Sequence, residues 1–165
     1  MARSDHEGDP ELTAAEQVDA IMLALQALVG IAAQSVTTVE DRVTLPQLRV
    51  LVLIASRGTL NLNALAAAMN VHPSNASRAC DRLVAAGLLR RTESSLDRRN
   101  LVLELTEEGG ELIAALVDHR REAISAVLER VPQSRRRALV NAMRAFGEAA
   151  GESSAGNAWR LGWHS

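Results

Sequence analysis

The sequence predicts a mainly α-helical fold that carries one small β-hairpin. Three observations predict it. Apolar residues recur at the 3.6-residue period of helices through most of the chain. One stretch, 88–105, replaces that period with two short apolar runs on either side of the polar "SSLDRRN". Capping residues, prolines and glycines fall where these patterns begin and end.

The 165 residues suffice for one domain with a real core, or a core plus an oligomerisation element. With 47% hydrophobic residues a globular fold is expected. No apolar run reaches the roughly 20 residues of a membrane span, so no transmembrane helix is expected. The start, "MARSDHEGDPELTAAE", lacks the basic-then-apolar layout of a signal peptide. A single cysteine, Cys80, excludes an internal disulfide. A cytoplasmic location is therefore expected. The net charge of −2 is unevenly spread. Residues 1–45 hold eight acids and two arginines, whereas residues 74–101 hold six arginines and three acids. That asymmetry suggests a local basic surface for an anionic partner.

Residues 1–12 read as a disordered tail, with Pro10 and no periodicity. Thr13 and Glu16 have capping-box spacing. From there Val18, Ile21, Met22, Leu25, Leu28, Val29, Ala32, Val36 and Val39 form one stripe of a helix about 28 residues long. This exceeds what a small core needs, so part of the stripe is expected to meet another chain. Thr44 and Pro46 open a second helix, "LPQLRVLVLIAS", stopped by Gly58. Its β-branched run also suits a strand, but length and start signal favour helix. Asn61 or Asn63 can cap a short helix presenting Leu62, Leu65, Ala66 and Met69. Asn70-Val71-His72 breaks it, and Pro73 and Ser74 suit the first turn of the next. That helix turns Ala76, Ala79, Cys80, Leu83 and Val84 inward, and ends at Gly87. The runs 88–93 and 100–105 read as strands, and Thr106, Glu107 and Glu108 open a long helix. Pro132 breaks it before a last helix with Leu139, Ala142, Met143 and Phe146. Residues 150–165 read as a tail in which Trp159 and Trp163 are one turn apart.

Two helices joined by a tight turn, the second with small polar and arginine residues outward, form the helix-turn-helix pattern. Ser74, Asn75, Ser77 and Arg78 sit where an inserted helix meets base edges. Asn can pair with adenine and Arg with guanine in the major groove. Arg82, one turn on, suits a phosphate, and His72 suits the DNA backbone or a capping role. A hairpin directly after such a helix lies over the flanking minor groove, which attracts arginine. Asp97 would be repelled by phosphates unless it orients a neighbour. The expectation is that Asp97 aims Arg99 and that Arg98 takes a phosphate.

The run "LNALAAAMNVHPSNASRACDRLVAAGLLRRTESSLDRRNLVLELTEEGGEL" resembles the winged helix-turn-helix of MarR-type transcriptional regulators. The specific parts are "DRLVAAGLLRR", Asp97-Arg98-Arg99 and "LTEEG", and the resemblance is strongest over residues 45–115. With the flanking helices it extends over about residues 13–149. Leu96 departs from the more frequent polar residue. The resemblance implies a homodimer with interlocked terminal helices on a pseudo-palindromic operator in double-stranded DNA. It also implies repression, relieved by a small phenolic or lipophilic effector or by cysteine oxidation. The expected organisation is a tail (1–12), a dimerisation helix (13–44), a winged DNA-binding lobe (45–106), C-terminal dimerisation helices (107–149) and a tail (150–165).

No enzyme is expected, because no histidine-cysteine-acid constellation has workable spacing. No cofactor or metal is expected either. Asp118, His119 and Glu122 share a helix face, which more simply reads as solvated. Cys80 falls on an inward face, where a small apolar residue belongs. The rival to a DNA-binding regulator is a winged module for protein interaction or ligand binding alone. An aliphatic effector pocket is expected where the long helices meet the DNA-binding lobe.

Overall fold

The computed structural model describes residues 12–93 and 101–151. Among them the elements run α1 (Ala14–Thr37), α2 (Leu45–Arg57), α3 (Leu62–Met69), α4 (Pro73–Ala85), β1 (Leu89–Glu93), β2 (Leu101–Leu105), α5 (Glu107–Arg130) and α6 (Gln133–Ala149). The mainly helical fold with a small hairpin is the one the periodicity predicts.

Local chemistry accounts for the helix starts. The Thr13 N–H donates to Glu16 Oε2 at 2.8 Å and the Glu16 N–H to Thr13 Oγ1 at 3.3 Å, completing a capping box. α1 has 24 residues, fewer than the stripe suggests. The chain turns after Thr37, which drives Val39 and Val43 into the core instead of extending the helix. In α2, Gln47 Oε1 accepts from the Thr44 N–H at 2.7 Å, and Gly58 ends the helix at φ 79°. Helix therefore prevails over the β-branched run, with Leu48, Val50, Leu51 and Ile54 buried. Asn61, not Asn63, caps α3: its Oδ1 accepts from the Ala64 N–H at 2.8 Å. Asn70 closes α3 in the left-handed region at φ 54°, which asparagine tolerates better than most residues.

β1 and β2 pair antiparallel, with Leu89 opposite Leu105, Arg91 opposite Leu103 and Glu93 opposite Leu101. Sequence periodicity did not reveal a third partner. Leu60 bridges Leu103, the Leu103 N–H donating to the Leu60 carbonyl at 2.8 Å. The core gathers Leu48, Leu51, Leu65, Cys80, Leu83, Leu89, Leu103, Ile113 and Leu116 from α2 to α5.

The base of the hairpin meets the end of α4 and the start of α5 in one seam. Thr106 Oγ1 donates to the Gly87 carbonyl at 2.6 Å and accepts from the Gly109 N–H at 3.1 Å. Gly109 lies so close to Leu88 that an added Cβ would stand 2.1 Å from the Leu88 carbonyl oxygen. The glycine of "LTEEG" is thus fixed by backbone approach. Farther along, Arg120 Nε donates to the fully buried Ser35 Oγ at 2.7 Å, joining α5 to α1. Burial lowers the Arg120 pKa. Arg42 and Glu108 pair across the α1–α2 turn and α5.

α1 differs from expectation in a second respect: it is long and apolar enough to cross a membrane by length and composition. Residues 20–39 carry no charge, and isolated glutamines interrupt the run without making it polar. Its apolar face is left exposed, with Val18, Met22, Leu25, Leu28 and Val29 each 45–57% accessible. Ile124 and Val127 on α5 and Val140, Met143 and Phe146 on α6 are exposed as well.

Gly109→Ala should destabilise the fold by at least about 1–3 kcal/mol, the usual cost of overpacking, as read by urea denaturation. Gly30→Ala, where nothing lies within 4 Å of the added carbon, should instead be neutral or stabilising by up to about 1 kcal/mol.

Candidate nucleic-acid interface

The interface is built around α4. His72 is its N-cap: Nδ1 accepts from the Ser74 N–H at 3.3 Å and lies 2.9 Å from Ser74 Oγ. Pro73 occupies the first helical position, where its missing N–H removes no helical hydrogen bond. Ala76, Cys80 and Leu83 are fully buried and seat the helix on the core, with Ala79 and Val84 partly covered. This is the inward face expected from the sequence.

The opposite face exposes His72, Ser74, Asn75, Arg78, Asp81 and Arg82. Ser77 is half-buried, and its hydroxyl donates to Asp81 Oδ2 at 3.4 Å. Arg78 is engaged within the helix: it donates to Asn75 Oδ1 at 2.8 Å and to the Ser74 carbonyl at 3.4 Å. Asn75 and Arg78, two of the four side chains expected at base edges, are therefore joined as one donor-acceptor unit. Together with Arg82 they border a groove of ≈ 230 Å³ whose other wall is Thr44, Pro46 and Gln47 at the start of α2. Such a surface presents guanidinium and amide donors beside an amide acceptor, the groups that pair with purine edges and phosphates.

The hairpin adds two cations that the sequence reading left out of the site. Arg90 Nε donates to Glu104 Oε2 across the strands at 2.9 Å. The hydrogen bond from Arg90 holds the Glu104 carboxyl below its ordinary pKa. Arg91, on the other face of β1, reaches Asp81 of α4. The signal was present in the consecutive arginines of "GLLRR", because alternation along a strand must send them to opposite faces. Asp97, Arg98 and Arg99 lie outside the described residues, as do Trp159 and Trp163.

An apolar groove of ≈ 340 Å³ lies between α1, α5 and α6, lined by Leu28, Ile31, Ile124, Leu128, Leu139 and Met143 among others. Among the described residues, none of α2–α4 or of the two strands lines it. It is aliphatic and set among the long helices.

A family model described as the MarR family matches residues 43–101, the segment from the start of α2 to the start of β2. The solved structure of RV1404 from Mycobacterium tuberculosis superposes with a TM-score of 0.75 at 36% identity, covering 88% of this chain and 99% of that one. The chain belongs to the MarR family. Two curated relatives come from Bacillus subtilis. The HTH-type transcriptional repressor MdtR is 38% identical over 91 residues, 54% of this chain and 59% of MdtR. The uncharacterized HTH-type transcriptional regulator YfiV is 30% identical over 96 residues, 58% of this chain and 60% of YfiV. The matched segment thus spans about 60% of the length of these relatives.

Cys80 lies on the buried side of α4 and does not suit a redox reading. The residue is fully buried, and burial pushes its thiol up to about 11. A thiol with a raised pKa is protonated at neutral pH and weakly nucleophilic. Cys80 should therefore resist alkylation by iodoacetamide in the native protein and react at once in denaturant. Fast labelling of the folded protein would contradict its structural role.

Proposed function

We propose that this MarR-family chain is a homodimeric, sequence-specific regulator that binds a pseudo-palindromic operator in double-stranded DNA. In this reading it represses neighbouring genes in the cytoplasm, and a small lipophilic or phenolic effector releases it. The observation that carries the reading is the exposed face of α4, which presents Asn75, Arg78 and Arg82 beside the hairpin. Ser74, Asn75, Ser77 and Arg78 then read base edges in the major groove, while Arg82 and His72 meet the backbone. Arg99 enters the flanking minor groove, oriented by Asp97, and Arg98 takes a phosphate. Residues 45–106 form the DNA-binding lobe, and residues 13–44 and 107–149 the dimerisation part. Repression is supported by MdtR, which is named a repressor.

The apolar surface supports dimerisation. It continues from α1 across Ile124 and Val127 of α5 to Val140, Met143 and Phe146 of α6. One membrane-crossing helix would account for α1 alone, whereas a second copy can cover all three helices. Patches of this breadth are rare on monomers. The aliphatic groove within it supports a lipophilic effector, which a second copy would close over.

Arg78→Ala and Asn75→Ala should each cost about 1–3 kcal/mol per half-site and relax preference at one base position. Arg82→Ala should weaken all duplexes alike. Fluorescence anisotropy against duplexes selected from a random pool checks both, and equal losses on every sequence for Arg78→Ala would remove it from base reading. Duplex binding without steep salt dependence, or none, would favour a winged module that does not use DNA. Sedimentation should show a dimer at micromolar concentration, and a stable folded monomer would overturn the assembly.

A further inference from the structure

Asp81 is the one acid on the exposed face of α4, among Asn75, Arg78 and Arg82. A carboxylate there opposes the phosphates that the neighbouring arginines would attract. It is held from two directions. Oδ1 accepts from Arg91 of β1, and Oδ2 accepts from the Ser77 hydroxyl at 3.4 Å. Arg91 lies opposite Leu103 in the hairpin, and its side chain borders a hollow with Leu62 of α3 and Leu101 of β2. Arg90, its neighbour, is bound within the hairpin to Glu104. Of the two strand arginines, Arg91 is therefore the one whose guanidinium crosses to α4.

We infer that Asp81 is a positioning residue that fixes the Arg91 guanidinium at the junction of α4 and the hairpin, where Arg91 contacts a DNA phosphate. The inference rests on the DNA-binding reading above. Asp81 engages one terminal nitrogen of Arg91. A guanidinium carries five donors in a planar fork, so one nitrogen can be held by a carboxylate while others bind an anion. Both partners are partly exposed, at 41% for Arg91 and 54% for Asp81, so the contact is accessible to a phosphate. Exposed ion pairs add little to fold stability. What this pair adds is a fixed place for a cation between the groove-reading helix and the wing strand.

The test is a double-mutant cycle on the intact protein with Asp81→Asn, Arg91→Gln and the double variant. Binding to the best duplex from a random-pool selection is measured by anisotropy across a salt series. Each single change should weaken binding about five- to tenfold and lower the slope of log affinity against log salt by about one, the signature of one lost phosphate contact. The double variant should be no worse than Arg91→Gln, and Arg91→Lys should keep the slope. Melting temperatures should stay unchanged, which separates positioning from folding. Tighter binding by Asp81→Asn, an unchanged slope, or losses that multiply in the double variant would overturn the inference while leaving the DNA-binding reading intact. Failure of the unsubstituted protein to bind any duplex would overturn both.

Discussion

The seam at Gly87, Leu88, Thr106 and Gly109 is the constraint on which the rest of the lobe depends. In that small space the chain leaves α4, starts β1, returns from β2 and enters α5. One threonine hydroxyl serves both sides, donating to the Gly87 carbonyl and accepting from the Gly109 amide. The close approach of α5 to Leu88 is possible because residue 109 has no side chain. The Leu88 carbonyl also accepts from the Thr106 N–H at 3.2 Å, so the backbone groups at this crossing find partners without water. The direction of the hairpin and that of the long α5 helix are consequently set together.

Packing and charge divide the molecule differently. The aliphatic core runs from α2 to α5 and seats α4 through Ala76, Cys80 and Leu83. Across the surface of that core, Arg42–Glu108, Arg90–Glu104 and Arg91–Asp81 each tie one element to another. These exposed pairs contribute modestly to stability. Their effect is orientation, since each holds a long side chain in one direction. Beyond the core, α1 and α6 bury few side chains of their own, and Ser35 is the one fully buried residue of α1.

What was legible in the sequence was local. The Thr13 box, the Pro73 start, the inward face of α4 and the strand pair all follow from spacing within a few residues, and the structure has them. Ambiguity arose where two local rules competed, as in α2, and there proline, capping and length outweighed the β-branched run. Contacts between distant residues left no local mark. The Leu60–Leu103 bridge, the Ser35–Arg120 hydrogen bond and the Asp81–Arg91 pair could not be read from periodicity. The glycine of "LTEEG" was visible as a motif, but its reason, a carbonyl twenty-one residues earlier, was not. The groove between α1, α5 and α6 was not legible, because aliphatic stripes reveal which faces are apolar, not which of them meet.

The anchoring of the hairpin at its base and middle has a mechanical consequence. Thr106 bonds the chain at the base of the hairpin and Leu60 bonds Leu103 at mid-strand, while Glu93 and Leu101 sit at the far end of the register. Beyond the Leu60 bridge, two residues of strand make an arm about 7 Å long. A rotation of about 10° at that anchor would sweep the far end through about 1 Å, enough to spoil the geometry of a hydrogen bond. α4 has no such leverage, because its core contacts are spread along its length. The tolerance for slack is therefore smallest at the seam, and the residues with the least freedom to vary are those farthest from the surface they aim.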